Sequence, residues 1–110
     1  MANLTIVSPS GRQKVELKEQ NSIGRHSGND IQIPDPSVSK VHCLIEVDAN
    51  KMCFIEDRSS TNGTYVNNRR IKGRIGIYTG DEIRLGNIFL FLEGEEKIAT
   101  QMVEIGDDFA

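Results

Sequence analysis

The sequence predicts an all-β protein, an antiparallel sandwich or barrel built from many short strands, and three observations carry that expectation. Ile, Val and Thr number 13, 7 and 5 of the 110 residues, against 4 Ala and 6 Leu, which favours pleated, half-buried surfaces over helices. Short apolar or alternating runs recur between turn signals along the first 92 residues. No window before residue 93 shows a sustained helical stripe, and no repeat of solenoid length is visible.

Taken in order, the first run is Leu4 to Val7, closed by Ser8-Pro9-Ser10-Gly11, and the second is the alternating Lys14 to Leu17. Ser22 to Gly24 leads into the polar turn Ser27-Gly28-Asn29-Asp30, after which Ile31 to Ile33 is stopped by Pro34-Asp35-Pro36-Ser37. His42 to Val47 and Met52 to Glu56 are separated by the turn signal Asp48-Ala49-Asn50-Lys51. Thr64 to Val66 lies between Asn62-Gly63 and Asn67-Asn68; Glu82 to Leu85 and Ile88 to Leu92 follow, separated by Gly86-Asn87. The basic cluster Arg69, Arg70, Lys72 and Arg74 reads as a solvated edge strand, since charge protects edges from pairing with other chains, with a second contact patch as the alternative.

Leu, Ile, Val and Phe number 6, 13, 7 and 4, enough for a packed core without cross-links. No run approaches the ~20 apolar residues of a membrane span, and the start MANLTIVSPSGR lacks the form of a secretory signal, so the expected location is the cytoplasm. Cys43 and Cys53 fit neither a disulfide framework nor a C-x-x-C site and read as reduced packing residues.

Charge is unevenly placed. Residues 1–92 hold 12 Lys+Arg and 10 Asp+Glu, while the last 18 residues hold six acids and one base. A mildly basic body can hold an anion but lacks the strongly basic face of a non-specific nucleic-acid binder, so nucleic acid is not an expected partner. Residues 93–110 read as an acidic tail or linker, either disordered or a short helix leading to a further domain. Ile98, Met102, Ile105 and Phe109 are spaced for one helical face, which Gly106 weakens.

The chemistry concentrates in three polar, turn-rich stretches: residues 24–30, 37–42 and 57–64. Each combines short hydroxyl or amide side chains with a cation, the inventory for holding an oxyanion. Ser39, His42 and Asp57 also supply the residue types of a hydrolase triad. There is no G-x-S-x-G elbow, however, and a Ser and a His three apart where a loop enters a strand are poorly placed to meet. Phosphate-loop, dinucleotide, zinc-protease and EF-hand patterns are absent, so no catalytic residue, metal or cofactor is expected.

The ordered set Ile23-Gly24-Arg25, Asn29-Asp30-Ile31, Val38-Ser39-Lys40-Val41-His42, Asp57-x-x-Ser60-x-Asn62-Gly63-Thr64-Tyr65-Val66-Asn67 and Gly80-Asp81-Glu82-Ile83-x-Leu85-Gly86 resembles the forkhead-associated (FHA) domain over about residues 3–92. The resemblance implies a β-sandwich of about eleven strands whose loops at one end bind phosphothreonine in an extended segment of a threonine-phosphorylated partner. It also implies a non-catalytic module, here one part of a larger kinase-signalling protein. Carried over position by position, Arg25, Ser39 and Lys40 would meet the phosphate, Thr61 the phosphothreonine, and Asn62 the peptide main chain. Gly24, His42 and Gly63 would support the loops. Lys40 departs from the family, which more often has arginine or asparagine there, and offers a point charge rather than a planar fork or an amide. A β-sandwich that binds partners without any phosphate is the alternative reading.

Overall fold

In β11 the sequence Ile88-Phe89-Leu90-Phe91-Leu92-Glu93 alternates buried and half-buried positions along its length, the period-2 signature of a strand with one face on a core. The computed structural model describes residues 2–94, so the tail reading lies almost wholly outside the described residues. Eleven strands are present: β1 (Asn3–Ser8), β2 (Gly11–Glu16), β3 (Gln20–Gly24), β4 (Ile31–Gln32), β5 (Cys43–Val47), β6 (Cys53–Asp57), β7 (Thr64–Val66), β8 (Arg69–Arg70), β9 (Arg74–Ile77), β10 (Glu82–Leu85) and β11 (Ile88–Glu93). Among the described residues there is no helix, hence none long and apolar enough to cross a membrane.

The strands form a six-stranded sheet in the order β2-β1-β11-β10-β7-β8 and a five-stranded sheet in the order β4-β3-β5-β6-β9. Leu4, Ile6, Ile83, Leu85 and Leu90 of the first sheet share one buried cluster with Ile23, Ile45, Ile55 and Ile77 of the second. Each such side chain contributes roughly 1.5–3 kcal/mol by leaving water. Cys43 and Cys53 are free and buried within this cluster, as their expected packing role requires.

One expectation needs correction. The sandwich is not wholly antiparallel: β3 and β4 pair in parallel, Ile23 beside Ile31. β4 is only two residues long, so a short polar loop suffices to bring it alongside β3. The eleven strands match the number the family resemblance implied, β8 and β9 adding to the at least nine runs read from the residues alone. Asn67 and Asn68 both adopt positive φ, 50° and 74°, which a two-residue hairpin loop demands, and they return the chain so that Arg69 pairs with Val66. Both added strands sit at sheet edges, where the basic cluster was expected.

Candidate functional site

Three loops and a turn meet at one end of the sandwich: residues 25–30 after β3, 33–42 after β4, 58–63 after β6, and Gly86-Asn87 between β10 and β11. The first two are pressed together at Gly24. A Cβ there would collide with the Lys40 carbonyl and stand 2.8 Å from Asn29 Nδ2, so only glycine allows the approach. Main-chain bonds close the seam, Arg25 N–H donating to Ser39 O at 2.9 Å and His26 N–H to Lys40 O at 3.2 Å.

His42 joins the second loop to the third. Its ring is fully buried; Nδ1 accepts the Ser39 N–H at 3.0 Å, and Nε2 lies 2.9 Å from the Gly63 carbonyl. With Nδ1 accepting, the ring proton belongs on Nε2, which donates to Gly63. The residue is thus more deeply buried than a half-exposed loop histidine, and it pins the segment that presents Ser39. Gly63 has φ +85°, a left-handed conformation that suits glycine.

The third loop is held by a knot centred on Asp57. Its carboxylate accepts from Ser60 Oγ at 2.5 Å, Thr64 Oγ1 at 2.6 Å and Ser60 N–H at 3.1 Å, while Ser60 Oγ also accepts the Gly63 N–H at 2.9 Å. Partial burial pushes the Asp57 carboxyl up, but these hydrogen bonds and the nearby His42 ring outweigh it and hold the group below its ordinary value.

On this frame the five expected contact residues come to one end of the molecule. Ser39 Oγ accepts the Thr61 N–H at 2.9 Å, which leaves its own O–H to donate. Asn62 Nδ2 donates to the Ser37 carbonyl at 2.8 Å, so its amide braces the loop as well as facing solvent. Arg25 is tethered through Nε to the Val38 carbonyl at 3.0 Å, which leaves its two terminal nitrogens to donate outward. Lys40 is exposed and its ammonium has no ion pair or hydrogen bond among the described residues. The arrangement is a pre-braced set of cationic, hydroxyl and amide donors, suited to a tetrahedral oxyanion.

The hydrolase alternative does not survive this geometry. His42 takes a main-chain N–H rather than the Ser39 hydroxyl, its other nitrogen is committed to Gly63, and Asp57 is bonded to Ser60 and Thr64. A cleft of about 540 Å³ lies at the far end of the sandwich, lined by apolar Leu17, Val47, Cys53, Ile77 and Leu92 together with Lys18, Glu19, Asp48 and Lys51, and by none of the five expected contact residues. No cluster of three or more metal-ligating side chains occurs among the described residues.

Three residues were not assigned a supporting role from the sequence. Asn29 Nδ2 bridges the Lys40 carbonyl at 2.7 Å and the His26 carbonyl at 2.8 Å. Ser37 Oγ donates to Asp35 at 2.6 Å and accepts the Asn87 N–H at 2.8 Å, locking the second loop to the turn between β10 and β11. Asp57 stood in the sequence reading as the start of D-x-x-S and as the acid of a triad type, not as a loop brace; its spacing to Ser60 and Thr64 was the available signal.

Comparison with known proteins agrees with this construction. The FHA domain family model matches residues 21–86. Glycogen accumulation regulator GarA of Mycobacterium tuberculosis is 35% identical over 77 residues, which cover 69% of this chain and 46% of that protein. FHA domain-containing protein PS1 of Arabidopsis thaliana is 36% identical over 74 residues, covering 64% of this chain and 5% of that one. The chain thus spans less than half the length of these curated relatives. Among solved structures, an FHA domain studied for phosphothreonine-dependent interactions superposes with a TM-score of 0.78 at 33% identity, over 86% of this chain and 96% of that one. The FhaA FHA domain, in complex with the intracellular domain of Rv3910, gives 0.77 at 33% identity, over 84% and 100%. Sequence motif, sandwich topology and loop geometry therefore converge, and the chain belongs to the FHA domain family.

Proposed function

We propose that this chain is a reversible phosphothreonine reader, a non-catalytic module that docks one protein onto another after threonine phosphorylation. The carrying observation is the pair of cross-loop bonds, Thr61 N–H to Ser39 Oγ and Asn62 Nδ2 to Ser37 O, beside an Arg25 guanidinium already tethered at Nε. Pre-bracing removes ordering cost that binding would otherwise bear. Arg25, Ser39 and Lys40 hold the phosphate, Thr61 meets the phosphothreonine, and Asn62 holds the peptide backbone.

A phosphate near pH 7 carries about −1.5 to −2 charge, and charge-assisted hydrogen bonds contribute roughly 1.5–3 kcal/mol each. With peptide ordering subtracted, the affinity falls near micromolar, about −8 kcal/mol. A pocket for the threonine methyl discriminates by only about 1–3 kcal/mol, so phosphoserine binds roughly 10- to 200-fold weaker. Since such a ligand is a product of serine/threonine kinases, we read the module as a part of cytoplasmic signal transduction. The family relationship and the phosphothreonine-dependent interactions of a structural neighbour support the reading.

The test is titration of a degenerate phosphothreonine peptide pool against the wild-type chain and Arg25→Ala, with the dephosphorylated pool in parallel. Micromolar binding that requires both the phosphate and Arg25 supports the reader. Equal binding of the dephosphorylated pool supports instead a phosphate-independent interaction domain.

A further inference from the structure

We propose that Arg70 selects partners carrying an acidic side chain beside the phosphothreonine, an inference that rests on the reader function above. Of the four cations in residues 69–74, Arg74 is already engaged: its Nε and Nη2 both reach Glu46, at 3.1 and 3.0 Å, and its guanidinium lies 4.1 Å over the Phe54 ring. Arg70 is placed differently. Strand register sets it opposite Tyr65, on the outer face of the six-stranded sheet, at the edge strand nearest the third site loop.

The Arg70 side chain turns back over that loop. A Cβ built on Gly63 would stand 2.7 Å from Arg70 Nε, 2.9 Å from Cζ and 3.2 Å from Nη2, so the guanidinium lies directly against the backbone that follows Thr61 and Asn62. It is exposed and makes no hydrogen bond or ion pair among the described residues. On the other side of Tyr65, Arg84 stacks on the ring at 4.1 Å and donates to the Gly86 carbonyl at 3.4 Å, so that second guanidinium is committed to the protein itself. What remains open beside the site is one planar fork of donors, permanently charged and matched to a carboxylate. A peptide whose main chain is held by Asn62 passes next to Gly63 and brings a flanking aspartate or glutamate within its reach.

The experiment uses the whole chain and a phosphothreonine peptide with alanine flanks, into which aspartate is placed at each flanking position in turn. In the wild type, aspartate at one such position strengthens binding about two- to fivefold, the range exposed ion pairs give, and the gain shrinks as salt rises. Arg70→Gln abolishes that gain while leaving the alanine-flanked peptide bound as before, and Arg69→Gln, farther along the same strand, retains it. The inference is overturned by aspartate giving no gain anywhere, by a gain that survives Arg70→Gln, or by equal loss in Arg69→Gln, which would mark a diffuse basic edge. Phosphate-dependent binding with any of those results overturns this inference alone. Phosphopeptides that bind no better than their dephosphorylated twins overturn the reader function, and the Arg70 role with it.

Discussion

Gly24 shows how much of the site depends on a missing side chain. The Lys40 carbonyl occupies the space a Cβ would need, and Asn29 closes it from the other side. Gly24→Ala must therefore push the first two loops apart, breaking the bonds that run from Arg25 and His26 to Ser39 and Lys40. The expected cost is about 1–3 kcal/mol in urea denaturation, the usual range for forced overpacking. Because Arg25 and Ser39 lie on the displaced seam, phosphopeptide affinity falls in the same variant, measured by titration. A variant as stable as wild type would show that the loops can separate without penalty.

At the scale of the element, the loop between β6 and β7 is a polar knot rather than a packed one. Asp57 collects three hydrogen bonds from Ser60 and Thr64 where the loop leaves and re-enters the sheets. Its carboxyl is held below the ordinary value of 3.8, since those bonds outweigh its partial burial. A depressed carboxylate stabilises the fold above its unfolded value and loses that contribution as pH falls through the lower folded value. Asp57→Asn is therefore expected to cost about 1–3 kcal/mol at neutral pH, with the gap to wild type narrowing below pH 3.8. Urea denaturation across a pH series checks it, and a gap that stays constant into acid would remove the carboxylate as its cause. Phosphopeptide binding is lost in a separate and higher window, as pH falls below the phosphate's second pKa of about 6.

The whole molecule separates a rigid body from a functional rim. Among the described residues nineteen apolar side chains form one buried cluster between the two sheets, and the site loops ride on the ends of those sheets. Cys43 opens β5 beside His42 and is wholly buried; desolvation, then the charge of Asp57, raises its thiol pKa. Cys53 is 5% exposed and is raised chiefly by burial as well. Thiolates are the reactive form, so both side chains are protected by the fold as well as by its electrostatics. A thiol-specific reagent is expected to label neither cysteine in the native protein and both in denaturant, counted by mass spectrometry. Rapid native labelling of Cys43 would mean the sandwich opens locally beside the site.

The β class was legible in local chemistry, because Ile and Val alternating between Gly, Pro and Asn turns leave few alternatives to a half-buried pleat. So was the set of loop residues, since the G-R, S-x-x-H and S-x-N-G-T patterns mark the segments that meet at one end. The cations of residues 69–74 were legible as edge-strand chemistry, because charge marks a strand where solvent replaces a neighbour, but their division into β8 and β9 at the edges of two different sheets was not. The depth of His42, the bracing of Lys40 O by Asn29 and the turn of Arg70 over Gly63 were likewise out of reach. Each joins residues distant along the chain, and a contact of that kind exists only after both sheets have closed. The residue types and their local turns were determined by the sequence itself; which donors are committed to the protein and which stay open to a ligand was decided by the tertiary structure, because pairing across loops depends on where the strands deliver them.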